Sequence, residues 1–132
     1  TRRSSDLKVL KQKDILGIFP EGNSLSDELR PAKGGVVFLS TTMQVPIVPV
    51  SISGLRGNIW QDLFKGVRPK LQVNIGKSFG PFSLPKDRSK RDGALQKIGD
   101  KVMCRIGALL PDECHGVYAG DPLIKKYRKE NQ

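Results

Sequence analysis

Ile15-Leu16-Gly17-Ile18-Phe19-Pro20-Glu21-Gly22-Asn23-Ser24, followed by Leu29-Arg30-Pro31-Ala32-Lys33-Gly34-Gly35, has the pattern of a strand, a loop and the start of a helix. Residues 15–19 are short, apolar and stopped by Pro20, the pattern of a buried strand. Residues 20–33 are rich in Gly, Asn, Ser, Asp and Pro, which makes them a loop with particular backbone needs. Residues 34–44 predict a buried helix whose apolar side chains cluster early, with Gly34 and Gly35 permitting close approach at its start. Strand, loop and helix in that order form the unit on which α/β proteins place ligands.

On the N-terminal side, Leu7 and Leu10 among charged neighbours predict a short amphipathic helix over residues 3–11. On the C-terminal side, Val45-Pro46-Ile47-Val48-Pro49-Val50-Ser51-Ile52 predicts a second apolar strand. Its two prolines cannot donate ladder hydrogen bonds, so it is expected to be irregular or at an edge there. A helical turn is expected around Trp60 to Phe64. Leu71, Val73 and Ile75 alternate with polar residues and predict a strand with one buried face. After a Pro/Lys/Arg linker at 81–91, Leu95, Ile98, Val102, Ile106 and Leu109 recur at helical spacing up to Pro111. The residues from Asp112 onward are expected to be turn-rich, then basic and frayed. The order of elements gives an α/β class.

The chain has 132 residues, enough for one compact domain, with 23 Lys+Arg against 13 Asp+Glu and a formal net charge of +10. Its longest aliphatic or aromatic run, Val36-Val37-Phe38-Leu39, is far short of the roughly 20 residues that span a bilayer. The sequence starts Thr1-Arg2-Arg3 without Met or an apolar leader, so a processed or truncated product is expected. Cys104, Cys114 and His115 show no metal-ligand spacing. The positive balance favours anionic partners: nucleic acid, lipid headgroups or phosphorylated metabolites. Nucleic acid is set aside, because Trp60, Tyr118 and Tyr127 are isolated and no nucleic-acid module is recognisable.

The loop carries the chemistry. Backbone N–H groups at a helix start, with Arg30 and Lys33 beside them, suit a phosphate. Gly22 allows a positive φ or a close ligand approach. The Glu21 carboxylate is placed to accept from a polyol hydroxyl or to fix a basic side chain. The same residues equally allow a loop in which Glu21 only caps a helix or pairs with Lys33 and Gly22 serves only a turn.

Ile18-Phe19-Pro20-Glu21-Gly22, a basic Lys33-Gly34 further on, and then the Val-Pro-Ile-Val-Pro-Val block at 45–50 together resemble the glycerolipid acyltransferase family. The resemblance is to its 1-acyl-sn-glycerol-3-phosphate (lysophosphatidic acid) acyltransferase members, and residues 76–80, Gly-Lys-Ser-Phe-Gly, add to it. It implies the C-terminal part of an α/β acyltransferase domain, with a mixed central sheet flanked by helices. Residues 1–110 are then a partial acyltransferase domain and 111–132 a basic tail. It implies acceptor-binding roles for Glu21 and Gly22, extended to Asn23, Ser24, Arg30 and Lys33. Phe19, Pro20, Pro46 and Pro49 would shape the cleft. Asn23-Ser24-Leu25 stands where the family has Thr-Arg-Ser, so Arg30 or Lys33 would have to supply the missing charge.

The family's general base is the His of a His-x4-Asp motif. The sole histidine here, His115, is not followed by Asp at that spacing and is expected to be a surface or loop residue. No catalytic residue is therefore assigned, and these residues alone are expected to be inactive. By resemblance the donor is acyl-CoA or acyl-carrier protein, the acceptor lysophosphatidic acid, and no cofactor is needed. The location implied is a membrane, at its cytoplasmic face or in a plastid or other organelle, with an anionic surface as partner. The alternatives are another lysophospholipid or glycerol 3-phosphate as acceptor, or a non-catalytic basic module that binds anionic lipid.

Overall fold

The computed structural model describes residues 2–22, 28–54 and 59–132. Helix α1 spans Arg2–Lys11, with Lys8 and Lys11 in its last turn, where cations meet the negative end of the helix dipole. It is closed by Lys13 in the left-handed region (φ 62°): the Lys13 N–H donates to Leu10 O and the Asp14 N–H to Val9 O. Residues 15–19, expected as a buried strand, join no ladder. Ile15 is 97% exposed and Phe19 79%. An apolar run becomes a strand only when another strand supplies its hydrogen-bond partners.

Helix α2, Gly35–Met43, buries Val37, Leu39 and Ser40 and ends at Gln44 in the left-handed conformation. The Ser40 hydroxyl donates to Val45 O at 2.7 Å, which turns the chain toward the second strand region. The prolines act there as expected. Residues 45–49 are irregular apart from one antiparallel bridge, Ile47 to Phe79, and the regular strand β1 is confined to Val50–Ser53. It pairs antiparallel with β2, Gln72–Ile75, in the register Val50↔Ile75 and Ile52↔Val73. The connection carries the short helix α3, Ile59–Phe64. The α/β class holds, and among the described residues the sheet is this antiparallel pair rather than a mixed one.

The alternation in β2 was expected to bury Leu71, Val73 and Ile75, but all three are exposed. The polar face turns inward instead. The Ser51 hydroxyl and the Asn74 amide both donate to Leu109 O, at 3.2 and 3.1 Å, just beyond the longest helix. Carbonyls at a helix C-terminus lack intrahelical partners, and these two side chains satisfy one.

That helix, α4, spans Arg88–Gly107 and is capped by Asp87, whose carboxylate accepts the Ser89 N–H at 3.0 Å. It buries Ile98, Val102, Met103 and Cys104. The segment after Pro111 is not frayed. Two 3-10 turns, Asp112–Cys114 and Gly116–Tyr118, lead into α5, Pro122–Glu130, which Asp121 caps and which buries Ile124 and Tyr127. Gly107 permits this packing, since a Cβ there would sit 3.1 Å from Ile124 Cδ1 and 3.2 Å from Leu29 Cδ1. The Arg105 guanidinium lies 4.1 Å from the Tyr127 ring centroid and 4.5 Å from that of Phe79, so α5 is held to the bridge region as well. The core unites Leu29, Met103, Cys104, Ala108, Tyr118, Ile124 and Tyr127. Burial pushes the Cys104 thiol up to about 12, with Asp121 and Asp100 adding to the effect, as suits an inert packing residue.

Candidate functional site

Residues 19–22 close a turn in which the Gly22 N–H donates to Phe19 O at 3.1 Å, and Gly22 takes φ 77°. This positive φ is the conformation glycine adopts without a steric cost. Two bonds tie the turn to the segment leading into α2. The Lys33 N–H donates to Pro20 O at 2.8 Å, and the Arg30 N–H donates to the Glu21 carboxylate at 3.1 Å. Lys33 then lies directly over Gly22, where an added Cβ would fall 2.8 Å from its Nζ. Partial burial raises the Glu21 carboxyl above its ordinary range, opposed by the Arg30 N–H bond and the Arg30 charge.

The far side of the segment is anchored too. The Leu29 N–H donates to Cys114 O at 2.9 Å and Leu29 O accepts from the Val117 N–H at 3.3 Å, while the Leu29 side chain enters the core. The residues just after Pro111 therefore help set the position of Arg30.

Glu21, Gly22, Arg30 and Lys33 are thus brought together, with the start of α2 immediately beyond them. Gly34 is its N-cap and offers no side-chain cap. A Cβ on Gly34 or Gly35 would meet nothing within 4 Å, so the approach to this helix end is open. Beside it a cleft of about 210 Å³ runs between Lys33, Gly34 and Val37 on one wall and Asp92, Gln96 and Gly99 of α4 on the other. That is below the roughly 300–1,000 Å³ of sites for drug-sized ligands, and suits a small polar headgroup. Lys33 and the helix end favour an anion, while Asp92 and Gln96 can bond hydroxyls.

Pro20 lies within the turn, and Phe19 precedes it with an exposed ring. Pro46 and Pro49 stand between α2 and β1, Pro46 exposed and Pro49 buried with its carbonyl accepting from the Gly76 N–H. Asn23 and Ser24 lie outside the described residues. Sequence reasoning missed Asp92 and Gln96. Their signal was the i, i+4, i+7 series Asp92, Gln96, Gly99 on one helix face, with a glycine where Ala32 comes close.

His115, expected at a surface or in a loop, is buried between the two 3-10 turns. Its Nε2 donates to Gly107 O at 2.8 Å, and Leu110 O is 3.3 Å away. It caps the end of α4, because the orphan carbonyls there need donors. Nearby, Arg128 bonds the Asp112 carboxylate at 2.9 Å and holds it below the usual carboxylate range.

Residues 2–53 match the protein family described as Acyltransferase. The chain is also 35% identical over 71 residues to the 1-acyl-sn-glycerol-3-phosphate acyltransferase of Bacillus subtilis (strain 168), a match covering 54% of this chain and 33% of that relative. It thus spans about a third of the relative's length. No solved structure matches the chain. Among the described residues, no helix is long and apolar enough to cross a membrane.

Proposed function

We propose that this chain is part of a glycerolipid acyltransferase, a reading supported by the Acyltransferase match over residues 2–53 and the likeness to the Bacillus subtilis enzyme, and that the loop from Glu21 to Lys33 is its acceptor site, taking the phosphate end of 1-acyl-sn-glycerol 3-phosphate. The observation that carries this is the stitching of Glu21 to the Arg30 N–H while Lys33 lies over Gly22 and lines the cleft beside the open start of α2. Lys33, the free N–H groups at the start of α2 and Arg30 would hold the phosphate oxygens. Glu21, fixed on the Arg30 N–H, keeps the loop in the conformation that presents them. Asp92 and Gln96 across the cleft would meet the glycerol hydroxyls. Phe19 and Pro20, within the turn, would shape the approach, whereas Pro49 packs beside Gly76 and Leu109, away from the cleft.

In the transfer itself, the acceptor hydroxyl attacks the thioester carbonyl of acyl-CoA or acyl-carrier protein. The hydroxyl proton passes to a general base and the thiol of the donor departs. His115 is committed to the Gly107 carbonyl in the core, so these 132 residues offer no histidine for that proton. Their part is to orient the acceptor, at an anionic membrane surface where lysophosphatidic acid resides.

The test is binding without turnover. Calorimetric titration should show saturable binding of sn-glycerol 3-phosphate and none of glycerol, and acyl-CoA with lysophosphatidic acid should give no phosphatidic acid. Equal binding of the two polyols, or turnover that falls in a His115→Gln variant, would contradict the proposal.

A further inference from the structure

The connection between β1 and β2 carries an apolar surface that the acceptor site does not use. Trp60, Leu63 and Phe64 stand at i, i+3 and i+4 on α3 and so share one helix face. All three are exposed, Trp60 to 76% and Phe64 to 90%. The helix is closed sharply: the Gly66 N–H donates to Leu63 O and the Val67 N–H to Asp62 O, with Gly66 at φ 76°. That closure turns the chain directly after Phe64, and Val67, which follows it, is exposed. Lys65, Arg68 and Lys70 follow, all exposed, against one carboxylate in the segment, Asp62. A Cβ on Gly66 would meet nothing within 4 Å, so the space beside this turn is open.

Isolated exposed apolar side chains need no explanation, but a clustered Trp, Leu, Phe and Val rimmed by cations does. Indole and phenyl rings favour the boundary between headgroups and acyl chains, and a cationic rim is drawn to anionic headgroups. Apolar insertion combined with positive charge gives stable attachment where either alone is weak. We infer that α3 and the residues up to Lys70 dock on an anionic lipid bilayer, with Trp60, Leu63 and Phe64 in the interface and Lys65, Arg68 and Lys70 on the headgroups. This deepens the membrane side of the proposed function and rests on that reading for the identity of the surface.

Trp60 is the sole tryptophan of the chain, so its fluorescence reports this site alone. The 132-residue chain is mixed with phosphatidylglycerol–phosphatidylcholine vesicles and with pure phosphatidylcholine vesicles, neither containing lysolipid. On the anionic vesicles Trp60 emission should shift to the blue and be quenched by brominated acyl chains, with a smaller effect on the neutral ones. Leu63→Ser with Phe64→Ser, and separately Lys65→Glu with Arg68→Glu, should each lower partitioning about tenfold. Lys33→Ala should leave the quenching unchanged. Trp60 remaining in water on vesicles that nevertheless sediment the chain would overturn the inference and point to other cations, such as Lys125 and Lys129. A blue shift without vesicles that grows with protein concentration would also overturn it, in favour of a second copy of the chain. Either failure leaves the acceptor site untouched, since no acceptor is present.

Discussion

Lys33→Ala should weaken binding of sn-glycerol 3-phosphate by about ten- to a hundredfold, corresponding to the ~1.5–3 kcal/mol of a hydrogen bond to a charged group. The side chain lies over Gly22 and lines the cleft, where its ammonium would meet the proposed phosphate. It is exposed, so its removal should leave thermal stability within about 0.5 kcal/mol. Binding should also weaken as salt rises, because exposed charges are screened beyond a Debye length of about 10 Å at 0.1 M. Isothermal titration at two ionic strengths, with melting curves of both proteins, separates these effects. Unchanged affinity in Lys33→Ala would remove this lysine from the site.

Met103→Ala should lower folding stability by about 2–5 kcal/mol, the range for truncating a fully buried Met, Leu or Ile. Met103 has no exposed surface, and its neighbours in the core come from α4, α5, the 3-10 turns and the Leu29 segment. The cavity would lie where all of these meet, so no single element could collapse into it. Domains of this size have about 5–15 kcal/mol in total, and the variant would lose a large part of that. Met103→Leu, nearly equal in volume, should cost less than about 1.5 kcal/mol. Urea unfolding followed by circular dichroism measures all three proteins. A Met103→Ala midpoint equal to the parent's would mean that α5 does not pack on α4 as described.

The middle of α4 and the course of α1 and α2 were legible because helical period is local, whereas the first turn of α4 (Arg88–Arg91, expected as linker) and all of α5 were not. Ile98 and Val102 mark the inner face of α4, and Asp87 and Asp121 are caps of the expected chemistry. The coming together of Glu21, Gly22, Arg30 and Lys33 followed from their place between an apolar run and a Gly-Gly helix start. Burial was less legible, because it depends on partners distant in sequence. The alternation of Leu71, Val73 and Ile75 marks one face of β2, but Leu109 O draws Asn74, on the opposite face, inward. Residues 15–19 have the composition of a strand without a ladder partner. In α5 the four cations conceal Ile124 and Tyr127, whose i, i+3 spacing sets a narrow apolar edge against α4.

The most direct test of the acceptor site is amide chemical-shift mapping by NMR during titration with sn-glycerol 3-phosphate. The largest shifts should fall on Gly22, Arg30, Lys33, Gly34 and Gly35, with smaller ones at Asp92 and Gln96 across the cleft. Shifts confined to Lys125, Lys126 and Lys129, with the Gly22 and Gly34 amides unmoved, would contradict the account.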